Sequence, residues 1–261
     1  MFGEAVKFEM KFANFNLTYE MKQPKIEDKP SDYRVLFIVG RREDSALNKL
    51  LDEEQRQFGD VIRYSAEDKY ELLHVKVHAA FSWQQKFCPQ ARYLLKTDDD
   101  TVVDLSRMNY FVQSEFNALL KNYPKSFICN RWGGKRPLRD PSICQQKEYN
   151  GTIFPTFCQG CSYLASTAAI GTLLNHTSNL NIIHLEDVLF TGLVAENSPG
   201  IYHHSSAAFE IKVGSSIELR QQEFQRKHKC DKNNVPYPCA YIGIPSSKLA
   251  VEYEQLKNLK C

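Results

Sequence analysis

Between Val35 and Lys96 the sequence alternates three apolar, β-prone runs with two stretches of helical period, and the third run leads straight into Asp98-Asp99-Asp100. Val35 to Val39 is stopped by Gly40 and suits a strand covered on both faces. Asp44 or Ser45 can cap a helix in which Leu47, Leu50, Leu51 and Glu54 fall at i, i+3, i+4 and i+7, giving one apolar edge and one wet edge. Val61 to Tyr64 reads as a second strand, and from Tyr70 to Phe87 the residues Leu73, Val77, Ala80, Phe81 and Trp83 recur at helical spacing. Arg92 to Lys96 is the third strand. This alternation predicts an α/β fold with a right-handed, mostly parallel sheet flanked by helices. In open sheets of that kind ligands bind beyond the carboxyl ends of the strands, which is where the acidic triplet falls.

The chain of 261 residues is long enough for one substantial core. Residues 1–32 are charged, carry Pro24 and Pro30, and read as an N-terminal extension, a short strand-like stretch followed by a linker. Residues 33–215 form the expected domain, and 216–261 a cysteine-containing C-terminal segment packed on it. Within the domain, Ser106 to Lys121 reads as a helix, Ser126 to Asn130 as a strand, and 131–157 as a long loop of the functional or disordered kind. Tyr163 to Leu174 and Glu186 to Glu196 read as helices. The formal net charge of +2 gives no argument for nucleic acid or an anionic membrane surface.

Eight cysteines favour disulfides and an oxidising compartment. Cys158-x-x-Cys161 leaves zinc open as the alternative, although no second pair follows at zinc-ribbon spacing. Sequons at Asn16, Asn150 and Asn175 agree with a lumenal address. Met1 to Lys29 contains no signal-peptide apolar run and no stretch of about 20 apolar residues.

Three adjacent carboxylates at the end of a strand repel one another, so a positive charge is expected beside them. A hard divalent cation, Mn²⁺ or Mg²⁺, held by one or two carboxylates and completed by substrate phosphates, answers that need. An exposed acidic turn capping the next helix is the plainer alternative. Glu186-Asp187 heads a helix, and Asp187 is placed to act as a general base; an acidic first turn favoured by the helix dipole explains it equally well. Gly160 marks a close backbone approach to a ligand, or a turn. His203 and His204 are adjacent on a strand, face opposite ways and read as ordinary polar residues.

In order, Phe58-Gly59-Asp60-Val61-Ile62, Asp68, Tyr70, Lys76, Trp83, Cys88-Pro89 and Lys96-Thr97-Asp98-Asp99-Asp100-Thr101-Val102-Val103 resemble the β1,3-galactosyltransferases and β1,3-N-acetylglucosaminyltransferases. So do Pro137-x-Arg139, Phe154-Pro155, Gly160-Cys161-Ser162-Tyr163 and Glu186-Asp187-Val188 followed by Gly192. The resemblance implies a GT-A fold, Rossmann-like and of one domain. It also implies a UDP-sugar donor, a glycan acceptor, Mn²⁺ held by the triplet, inversion at the anomeric carbon, a β1,3 linkage, and a Golgi membrane protein facing the lumen. By that likeness Asp100 and Asp98 are metal ligands, Asp98 and Asp99 also face the donor, and Asp187 is the base. Asp68 and Lys76 match the nucleotide pocket, and Arg139 matches the arginine of the loop before the acceptor region. Gly160 and Glu186 complete the donor side.

Three departures accompany the likeness. Met1 to Lys29 lacks the family's arginine-rich segment ending in Thr-Trp, its metal-binding histidine has its nearest equivalent around Gly214, and its membrane anchor is absent. These motivate a second expectation, a truncated or catalytically silent relative that binds glycan or assists a partner. A metal-dependent phosphoryl-transfer enzyme is a third, disfavoured as a nucleoside triphosphatase by the absence of a P-loop.

Overall fold

The computed structural model describes residues 5–22, 33–137, 149–209 and 230–261. Its first two elements, β1 (Ala5–Phe12) and β2 (Phe15–Lys22), form a complete antiparallel hairpin. Met10, Phe12, Tyr19 and Met21 alternate onto one face and are all buried. Each such side chain contributes about 1.5–3 kcal/mol by leaving water. Where the sequence shows one strand-like stretch and a linker, the chain builds a layer of the core. Charged residues such as Lys7, Glu9 and Lys11 hid it, because they occupy the wet face of a period-two pattern.

β2 adds antiparallel to β4 (Val61–Glu67), which pairs in parallel with β3 (Phe37–Arg41). The second sheet has the order β5 (Tyr93–Thr97), β8 (Phe157–Ser166), β7 (Ser126–Trp132), β9 (Tyr202–Ser205). There β8 runs antiparallel to both neighbours, and β7 with β9 is parallel. The α/β class and the flanking helices are as expected. Strand direction is mixed, because the hairpin and β8 both enter against the α/β alternation.

α1 (Ser45–Phe58) starts where Asp44 Oδ1 accepts from the amides of Ala46 at 2.7 Å and Leu47 at 3.2 Å. It ends at Gly59, whose φ of 71° lets the chain turn out of the helix. Its apolar edge is itself wet, with Leu47 and Leu50 exposed. α2 (Leu73–Phe87) instead lies in the middle of the core, and its Phe81 packs edge-on to Phe190. β6 (Val102–Val103) leads into an unbroken helical run made of α3 (Leu105–Phe111), a π-wound turn over Val112–Phe116 and α4 (Asn117–Asn122), covering the helix expected over Ser106 to Lys121.

A second difference lies at Tyr163 to Leu174. Residues through Ser166 are strand, and only α5 (Thr167–Leu174) is helical. Ser166 Oγ accepts from the amide of Ala169, so the cap sets the boundary that periodicity placed four residues too early. The helical segment 186–196 is as expected, with a π-helical winding over Val188–Val194. β10 (Ala240–Tyr241) pairs with β6, and α6 (Leu249–Lys257) closes the chain.

Cys129–Cys158 staples β7 to β8, and Cys230–Cys261 closes the C-terminal segment. Loops of these lengths, 29 and 31 residues, make each bridge worth ~3–4 kcal/mol in the chain-entropy account. With its sulfur bonded to Cys129, Cys158 is not a zinc ligand with Cys161.

Tyr19 Oη and His78 Nδ1 meet at 2.7 Å under the hairpin. Burial, helped by neighbouring His74, pushes the His78 imidazole down to about 3. Its folded value is below its unfolded value, so the unfolded chain binds the extra proton as pH falls below ~6.5, and stability is lost across that window. Urea titrations at pH 7 and pH 5 should show that acidification costs the unsubstituted chain more stability, or gains it less, than it does His78→Gln.

Candidate functional site

The acidic triplet follows β5 directly, and β8 beside it delivers Gly160 and Cys161. The Asp98 amide donates to the Cys161 carbonyl at 3.1 Å, which fixes the first turn of the triplet. The Asp100 carbonyl accepts from the Ile244 amide at 2.8 Å, so the C-terminal segment supports its other end. Asp99 and Asp100 are exposed, while Asp98 is partly covered.

The counter-charge is Lys96. Its ammonium donates to Asp98 Oδ1 at 2.6 Å, to Glu186 Oε1 at 2.8 Å and to the Gly160 carbonyl. The lysine side chain is 10% exposed and that of Glu186 is 5% exposed, so both charges sit well out of bulk water. Burial alone would lower the Lys96 pKa, but the carboxylates of Glu186 and Asp98 outweigh it and hold the ammonium above its ordinary value. Burial raises Glu186 to about 7 against the pull of Lys96. Its second oxygen, Oε2, is buried without a hydrogen-bond partner.

Asp187 is held from two sides. Oδ2 accepts from the Gly160 amide at 3.0 Å and Oδ1 from the Val188 amide at 2.8 Å. A side chain at position 160 would have its Cβ 3.1 Å from both Cβ and Oδ2 of Asp187, so the carboxylate would have to give by a few tenths of an ångström to admit it. Burial, the largest influence, leaves the Asp187 pKa raised despite those bonds and Lys96. Thr191 Oγ1 donates to the Asp187 carbonyl at 2.6 Å and accepts from the Cys158 amide at 2.9 Å, which ties this helical segment to the stapled strand. Gly192 lets it pack against Pro155 and Phe157.

A second cluster sits at the ends of β3 and β4. Asp68 pairs with Lys76 at 2.8 Å and accepts from the Gly40 amide at 3.1 Å. Beside it opens a cleft of about 450 Å³ lined by Val39, Arg42, Leu47, Leu51, Glu54 and Asp68. Asp68 and Lys76 thus belong together, apart from the direct contacts of the triplet. Arg139 and Gly214 lie outside the described residues. His203 is structural, its Nε2 meeting the Thr191 carbonyl at 2.6 Å and its ring stacking on Phe127.

Among the described residues, no three His, Cys, Asp or Glu side chains converge to hold a metal by themselves. Exposed carboxylates stand at Asp99 and Asp100 beside partly exposed Asp98, and carboxylate oxygens are donors that suit a hard cation completed by a ligand. Lys96 stands in the matched run, but the sequence assigned it no role in the site. A lysine inside an apolar strand, immediately before three carboxylates, is the signal that could have found it.

A family model described as "Galactosyltransferase" matches residues 19–207. "Beta-1,3-galactosyltransferase 1" of Homo sapiens is 29% identical over 175 residues, covering 67% of this chain and 52% of the relative. "Beta-1,3-galactosyltransferase 5" of Gorilla gorilla gorilla is 28% identical over 171 residues, 64% of this chain and 55% of its own length. "UDP-GalNAc:beta-1,3-N-acetylgalactosaminyltransferase 1" of Sus scrofa is 30% identical over 163 residues, 60% and 48% respectively. The chain spans about half the length of these curated relatives.

Gly160→Ala should displace the Asp187 carboxylate and cost about 1–3 kcal/mol as an overpacking change. A urea titration reads the stability loss.

Proposed function

Because the chain belongs to the galactosyltransferase family, we propose that it transfers galactose or an N-acetylhexosamine from a UDP-sugar to a glycan hydroxyl. Transfer proceeds with inversion and forms a β1,3 linkage. The observation that carries this reading is the joining of the acidic triplet to the Glu186-Asp187 pair through Lys96, because the reaction needs a grip on a diphosphate beside a proton acceptor.

Asp98 and Asp100, with Asp99 alongside, would hold Mn²⁺ or Mg²⁺ together with the donor phosphates. When bound, such an ion supplies positive charge against the departing diphosphate. Asp187 accepts the proton of the acceptor hydroxyl as that oxygen attacks the anomeric carbon from the face opposite the diphosphate. Its amide bonds to Gly160 and Val188 fix its orientation, and its raised pKa strengthens it as a base. Asp68 and Lys76, beside the cleft, are the proposed nucleotide contacts, and the backbone at Gly160 closes the donor side.

A Golgi-lumenal setting accompanies this reading. Two disulfides and the exposure of Asn16, Asn150 and Asn175 support it. No helix among the described residues is long and apolar enough to cross a membrane.

Asp187→Asn should lower turnover by ~10²–10⁴-fold, the usual contribution of a general base, while leaving UDP binding intact in calorimetry. Asp100→Asn should lose turnover together with Mn²⁺-dependent UDP binding. Full turnover in both variants would refute the assignment. For the unsubstituted protein, turnover should climb with pH through a value above the ~3.9 of a free aspartate, because deprotonated Asp187 is the active form.

A further inference from the structure

Lys96 contacts three separately built parts of the site: the loop after β5 at Asp98, strand β8 at Gly160, and the head of the 186–196 segment at Glu186. Gly160 is also the residue whose amide holds Asp187. Glu186, for its part, has one oxygen on Lys96 and the other without a hydrogen-bond partner. Its placement therefore depends on the lysine. At such low exposure the attraction between these charges is strong, and losing one partner leaves the other stranded.

We propose that Lys96 is a positioning residue that locks the acidic triplet and the Asp187 base into a single unit, so that donor grip and proton removal are aligned together. The proposal rests on the glycosyl-transfer reading above. It assigns Lys96 no contact with substrate. Its ammonium orients Asp98 from behind and draws β8 toward the helical segment, so the carbonyl of Gly160 faces Lys96 while its amide faces Asp187. A methionine has similar length and no charge, and would leave Asp98 and Glu186 without their shared partner.

A purely structural lysine would serve only to neutralise buried Glu186, and the two roles separate in a double variant. Lys96→Met, Glu186→Gln and the pair together are compared with the unsubstituted chain by thermal unfolding, by calorimetry with UDP and Mn²⁺, and by turnover of UDP-galactose and UDP-N-acetylhexosamines. Lys96→Met should lower the unfolding temperature. The double variant, which no longer buries an unpaired carboxylate, should recover it. Turnover in the double variant should stay ~100-fold below that of Glu186→Gln alone, the scale of a misplacement of about 1 Å, with UDP–Mn²⁺ affinity also weakened.

Recovery of turnover along with stability would overturn the positioning role and leave the function reading standing. An unsubstituted, folded protein that neither binds UDP with Mn²⁺ nor consumes a UDP-sugar would instead overturn the function reading, and this proposal with it.

Discussion

A charged ammonium placed almost out of water sets the terms for everything around it. Lys96 must meet acceptors on every side that lacks solvent, and the fold supplies one each from the β5 loop, β8 and the 186–196 segment. Those three pieces come from residues up to 90 positions apart. Desolvation makes the arrangement costly unless the geometry is good, which is why the surrounding scaffold is stiff. β8 is hydrogen-bonded on both edges and stapled at Cys158, and Thr191 joins the helical segment to the same cysteine's backbone.

The N-terminal hairpin extends that stiffness to the approach of the base. At its tip the Ala13 amide donates to the Leu180 carbonyl, and Asn14 Oδ1 accepts from the Ile182 amide. The segment leading into Glu186 is thus hung from a turn that lies more than 160 residues earlier in sequence. Phe12 meets Phe190 edge to face, so the hairpin also braces the π-helical winding behind Asp187.

Much of the central fold was legible because its signals are local. The runs at Val61 to Tyr64 and Arg92 to Lys96 carried their own periodicity, as did the helix ending at Phe87, and Asp44 announced its helix start. The strand at Phe157–Ser166 was misread in its second half because Tyr163, Leu164 and Ala165 are buried on both faces, and an unbroken apolar run has no period to separate strand from helix. The triplet and Asp187 stood out by residue type and by likeness to a family. Lys96 lay in the matched run without a role, because its meaning depends on Glu186, and no spacing rule relates residues brought together by tertiary packing.

The triplet is also built over a floor that comes late in the chain. Ile244 bonds the Asp100 carbonyl, Cys239 accepts from the Asp104 amide, and buried Arg107 reaches the carbonyls of Pro238 and Leu256, the latter 149 residues away. During synthesis, then, the three carboxylates emerge from the ribosome long before the residues that shape them. A nascent chain carries its acidic cluster without this C-terminal floor until Ile244 and Leu256 have been added.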